Sequence, residues 1–154
     1  MDDILMFFVE SPEWDSEAFC KDFEESTCYV PPLELEAGRQ DVFLETSLEI
    51  KEGRLRYWLK NDNCGKHNKI WRYQHFGSHM PYIQKRAVLT ACLKKVHEMA
   101  CDKAALFQSA INKLQEFKRL SYPRHMLRAA CTYIGASRGE ATWLDVRDSL
   151  DSLY

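Results

Sequence analysis

The chain has little that would commit it to a membrane, a disulfide scaffold or a zinc finger. Nowhere do about eighteen apolar residues follow one another, so no transmembrane helix and no membrane partner is expected. Six cysteines are present (Cys20, Cys28, Cys64, Cys92, Cys101 and Cys131), yet no Cys-x-x-Cys pair occurs. No signal peptide is expected either, since the first apolar run is short and flanked by acid rather than base. Reduced thiols in an intracellular setting, nuclear or cytoplasmic and not secreted, follow as the expectation. Internal repeats and low-complexity tracts are also missing.

Basic side chains are scarce at the start. Residues 1–50 carry 14 acidic and 2 basic groups, whereas residues 51–138 carry 18 basic and 5 acidic ones. The overall net charge of −2 therefore hides a polarity along the chain, and a basic stretch of this kind points to nucleic-acid or membrane contact. At 154 residues and 45% apolar content the chain is long enough for one ordinary domain.

Ile4 to Val9 is an unbroken apolar run and reads as a strand buried on both faces. Ser11-Pro12-Glu13 offers an N-cap, a first-turn proline and an early acid, which predicts a helix over about Pro12–Glu25. DVFLETSLEI and RLRYWLK flank Lys51-Glu52-Gly53, a hairpin signal with Leu55, Tyr57 and Leu59 facing inward and Arg54, Arg56, Trp58 and Lys60 outward. A short strand is expected at Lys69–His75. From Ile83 the period turns helical, with Ile83, Ala87, Leu89/Thr90, Leu93, Val96/His97 and Ala100 on one face. A second helix is predicted over Lys103–Leu120 and a third, short one after Pro123 through Met126, Leu127 and Ala130.

Two groups of residues could carry metal chemistry. Asp2 and Asp3 precede the apolar strand, and a strand that fixes paired carboxylates offers what a hard cation such as Mg2+ requires. Terminal surface charges are the plain alternative. Cys64, His67, His75 and His79 show zinc-like spacings, although only one thiol is offered, the spacing matches no common finger, and a polar loop that happens to hold histidines is the preferred reading. The basic stretch, interleaved with Trp58, Trp71, Tyr73 and Tyr82, suits a phosphate-tracking surface.

Several strings, in order, resemble the reverse transcriptases of Penelope-like and related non-LTR retroelements. Met1-Asp2-Asp3-Ile4-Leu5 is similar to their aromatic-x-Asp-Asp motif without its leading aromatic. Val42-Phe43-Leu44-Glu45 resembles the Phe-Leu-Asp strand that follows, with Glu in place of Asp. Gly53-Arg54-Leu55 through Lys60-Asn61-Asp62 resembles the next hairpin. Ser78-His79-Met80-Pro81 with Lys85-Arg86, and Leu120-Ser121-Tyr122-Pro123, resemble elements of the helical thumb.

The resemblance implies an α+β fold: a small antiparallel β palm remnant over residues 1–62, a basic helical thumb over 63–138 and an acidic tail over 139–154. It implies a piece of an RNA-directed DNA polymerase in which Asp2 and Asp3 hold catalytic Mg2+ during two-metal nucleotidyl transfer, with an RNA template, a DNA primer and a dNTP as partners. The thumb candidates for the nucleic-acid backbone are Lys85, Arg86, Lys94, Lys95, Lys118, Arg119, Arg124 and Arg128. The piece is expected to be inactive alone. The alternative is a non-catalytic basic helical module that binds nucleic acid or protein. Tyr133-Ile134-Gly135 is similar to half of the GIY-YIG nuclease motif, but a helix ending with Gly135 just past it is the preferred reading.

Overall fold

The computed structural model describes residues 15–26, 42–43, 45–60 and 72–153. The architecture is α+β. Helix α1 (Ser16–Ser26) precedes strands β1 (Val42–Phe43), β2 (Thr46–Lys51) and β3 (Arg54–Leu59). Helices α2 (Tyr82–Glu98), α3 (Lys103–Arg119), α4 (Arg124–Arg138) and α5 (Thr142–Leu153) follow. The predicted strand Ile4–Val9 and the carboxylates Asp2 and Asp3 lie outside the described residues.

The strands form one antiparallel sheet in the order β1-β2-β3, and Lys51 pairs with Arg54 across a two-residue turn. Both turn residues have positive φ, Glu52 at 52° and Gly53 at 71°, the hand that matches the twist of the flanking strands. The facing of β3 differs from expectation. Leu55 and Tyr57 are 40% and 38% exposed, and of the predicted inward trio only Leu59 packs on the helical core. Arg56, expected outward in solvent, instead fastens the hairpin to the helices. Its guanidinium pairs with Glu49, its cross-strand neighbour, at 3.7 Å and with Asp102 at 3.2 Å. Asp102 also caps α3, its Oδ1 accepting from Ala105 N–H at 2.7 Å. That backbone hydrogen bond, and secondarily Arg56, hold the Asp102 carboxyl below its ordinary pKa.

The four long helices close a ring, since α2 packs on α3 and α4, and α5 packs on the same two. Leu89, Leu93 and Val96 enter the interior from α2, Leu114 and Phe117 from α3, Leu127 and Ile134 from α4, and Trp143, Val146 and Leu150 from α5, all fully buried. The segment expected to be an acidic tail is thus a core helix. Its acids sit on one face and its apolar residues recur at 143, 146 and 150, a helical period that net charge conceals.

Three further expectations are corrected. The buried stripe of α2 is Lys85, Leu89, Leu93 and Val96, whereas Ile83 is 79% exposed. Residues 72–75 form no strand: Tyr73 stacks on Phe117 at 4.9 Å, and Phe76 N–H donates to Leu120 O, so this segment is pinned through side chains and a loop bond. Helix α4 is not short, and Gly135 does not end it. The helix runs one turn further to Gly139, which adopts the left-handed conformation at φ 65°. Gly135 serves close packing instead, because a Cβ there would stand 3.1 Å from Trp143 Cβ.

Candidate nucleic-acid interface

The eight basic residues predicted to share a surface are dispersed by the fold. Lys85 is 6% exposed, and its Nζ donates to Phe76 O at 2.5 Å and Ser78 O at 2.7 Å. It ties the loop before α2 to that helix and is turned away from any phosphate. Arg124 and Arg128 cross to α5, where both pair with Asp151, Arg128 at 2.6 Å. The hydrogen bond from Arg124 is the main reason the Asp151 carboxyl titrates below its ordinary range. Lys95 pairs with Glu45, which also takes Arg72 at 3.3 Å. Lys118 and Arg119 stand in the last turn of α3, where cations favour the helix end, and Arg119 is exposed.

Arg86 and Lys94 remain, and these two line one groove. They lie on one stripe of α2, Tyr82-Arg86-Thr90-Lys94, at intervals of four residues. Helix α4 answers with His125-Ala129-Tyr133 at the same interval, and the two stripes form the walls of a groove of about 650 Å³. Lys94 Nζ lies 5.9 Å from the Tyr133 ring centre, which sets the register: the C-terminal ends of the two stripes face each other. Ala87, Ala91, Met126, Ala129 and Ala130 supply apolar lining, and no carboxylate lines the groove among the described residues. Tyr82 and Tyr133 are 52% and 49% exposed, and Tyr82 is braced edge-on by Phe76 at 6.5 Å. Among the described residues Arg86 enters no ion pair. Sequence reading missed His125 and Tyr133. The signal was the four-residue spacing on α4, but nothing in one dimension tells that α4 lies against α2.

A second, smaller cavity of about 120 Å³ lies between the hairpin and the helices, lined by Glu45, Lys60, Arg72, Tyr73, Lys95 and Lys113 among others. Its charges are largely answered from within: Glu45 takes Arg72 and Lys95, and Lys113 donates to Glu116 at 2.7 Å. Such internally paired cations have less to offer an anion than those of the groove.

The histidine cluster is not assembled among the described residues, which hold no group of three or more potential ligands. Cys64 and His67 lie outside them. His75 uses both ring nitrogens: Nδ1 accepts from Gly77 N–H at 3.0 Å, and Nε2 stands 2.9 Å from Ser121 Oγ. Since Nδ1 accepts, the proton of the neutral ring is on Nε2, which donates to the serine. A Ser–His pair of that tautomer cannot take the serine proton, so it does not operate as an activated nucleophile. Ser121 instead holds the α3–α4 turn at φ 63°. Among the thiols, burial raises Cys92 and pushes Cys131 up to about 12, which leaves both protonated and unreactive at neutral pH.

Comparison with family models, with curated proteins and with solved structures finds no match to this chain, so the argument for function rests on its own residues.

Proposed function

We propose that the helical unit is a nucleic-acid-holding module of the thumb type, belonging to a retroelement reverse transcriptase, and that the α2/α4 groove is its contact surface. The observation that carries this reading is the groove itself: Arg86, Lys94 and His125 with two half-exposed tyrosines, and no carboxylate in the lining among the described residues. Nucleic-acid surfaces combine cations for the phosphates with rings for the bases in this way. The ordered string resemblances supply the polymerase half of the proposal. In it, Asp2 and Asp3 would hold Mg2+, whose chemistry is to activate the primer hydroxyl and steady the dNTP triphosphate. Both aspartates lie outside the described residues, and no step is built on them.

The competing reading, a non-catalytic module that docks protein, draws on the apolar part of the lining, Ile83 at 79% exposure included. Salt dependence separates the two. Fluorescence anisotropy on a labelled RNA/DNA hybrid carrying a single-stranded template overhang should give a log-log salt slope of about −0.7 to −0.9 per phosphate contact. Replacing Arg86 and Lys94 together by Ala should flatten it by roughly one to two units. Replacing Arg124 and Arg128, already paired with Asp151, should leave the slope unchanged. No binding at low salt would overturn the proposal in favour of the protein-docking module.

A further inference from the structure

We infer that the α2/α4 groove holds a short run of unpaired nucleobases, stacked between Tyr82 and Tyr133, rather than the backbone of a duplex. This rests on the nucleic-acid reading above and narrows it to a single strand with its bases turned inward.

The groove's lining mixes apolar and basic side chains. Its apolar part is Ala87, Ala91, Met126, Ala129 and Ala130 with Ile83, and a phosphate set down on it would lose hydration without gaining a partner. A nucleobase loses far less, since its faces are apolar and stack well. The cations of the lining are Arg86 and Lys94, both on α2. A blunt duplex keeps its base faces stacked inside and presents phosphates and groove edges, so it offers the two half-exposed rings little to stack on. Here the groove is bounded by two helices, α2 and α4.

The tyrosines define the ends. Because Lys94 lies over the Tyr133 ring, the C-terminal end of the α2 stripe meets Tyr133. Tyr82, three helical steps of four residues before Lys94, therefore stands toward the opposite end of the groove. Twelve residues of helix rise about 18 Å. At the roughly 3.4 Å separation of stacked bases, that length takes about four or five nucleotides. The Tyr82 ring is braced by Phe76 at 6.5 Å, so it is positioned before any base arrives and less ordering is needed on binding. The cation at Tyr133 is also the kind of neighbour that a base–aromatic stack tolerates.

The experiment compares three labelled probes against the full chain: a single-stranded oligonucleotide of about ten residues, the same length with abasic sites throughout, and a blunt RNA/DNA hybrid. The base-bearing single strand should bind more tightly than the abasic one by at least about fivefold, the lower bound for one stacked base. Tyr82→Ala and Tyr133→Ala should each weaken the single strand by about 5- to 150-fold, while Tyr82→Phe and Tyr133→Phe, which keep the ring, restore it. Blunt hybrid should bind more weakly than the single strand and be indifferent to either tyrosine. Both rings are half exposed, so the alanine variants should melt with the parent chain, which circular dichroism checks. Equal binding of abasic and base-bearing strands, or tight hybrid binding that ignores the tyrosines, would overturn this inference and leave the nucleic-acid reading standing. Binding of none of the three probes would overturn both.

Discussion

Replacing Lys85 by methionine keeps most of the apolar stem and deletes the ammonium that donates to Phe76 O and Ser78 O. Hydrogen bonds from a charged donor contribute about 1.5–3 kcal/mol each, which for two sets an upper range of about 3–6 kcal/mol. Phe76 and Ser78 are only half buried, so water recovers part of the loss, and methionine avoids burying a charge. A destabilisation of about 2–4 kcal/mol is the expected net. For a helical unit of this size, each kcal/mol lowers Tm by about 4–8 °C, so the shift should lie between about 8 and 30 °C. Arg86→Met is the control one residue away. Arg86 is exposed and lines the groove, so its loss should move stability by no more than about 0.5 kcal/mol and should cost about one unit of salt slope. Thermal and urea unfolding by circular dichroism read the first effect, and hybrid-overhang anisotropy against salt reads the second. A Lys85→Met chain that melts within 2 °C or so of the parent yet loses salt slope would refute the assignment of Lys85 to the loop, since that outcome belongs to a phosphate contact.

Trp143→Ala should destabilise by about 3–5 kcal/mol, because the ring is fully buried and its Nε1–H donates to His97 Nδ1 at 3.4 Å; a melt that moves less than the equivalent of about 1 kcal/mol would mean that α5 is not part of the core. Lowering pH should leave stability intact down to about pH 5 and then erode it. The carboxyls of Asp102, Glu140, Asp148 and Asp151 all titrate below their ordinary values, each held chiefly by hydrogen bonds from N–H groups, so their contribution is present above the unfolded pKa near 4 and lost as pH falls through the folded values. A Tm that rises below pH 4 would contradict that sign. Cys131, fully buried with its thiol pushed up to about 12, should resist iodoacetamide at pH 8 until the helical unit opens, and should favour folding below the ordinary thiol pKa and cease to do so as pH rises toward the folded value. Mass spectrometry of the Cys131 peptide checks this, and labelling as fast as a free thiol would refute it.

Some of the local order among the described residues was legible in the sequence, although helix α5 and the full length of α4 were not. Lys51-Glu52-Gly53 marks the hairpin because positive φ is needed there and glycine supplies it, and Ser121-Tyr122-Pro123 marks the break between α3 and α4 because proline cannot continue a helix. Helix α3 ends within a residue of expectation, for its apolar period is unambiguous. The phase of α2 was legible in part. Leu89, Leu93 and Val96 fall on the expected face and are fully buried, but in the first turn the buried position belongs to Lys85, whose ammonium meets the loop carbonyls of Phe76 and Ser78, and not to Ile83. Nor could net charge tell which cations are available. Arg124 and Arg128 sit with the other basic residues in the sequence and opposite Asp151 in space, and it is the distance in space that enters Coulomb's law. The groove is wholly a product of tertiary structure. Tyr82 and Arg86 are separated from His125 and Tyr133 by an entire helix in the chain, and only the closure of α2 against α4, driven by burial of Leu89, Leu93, Leu127 and Ile134, brings rings and cations to one concave surface.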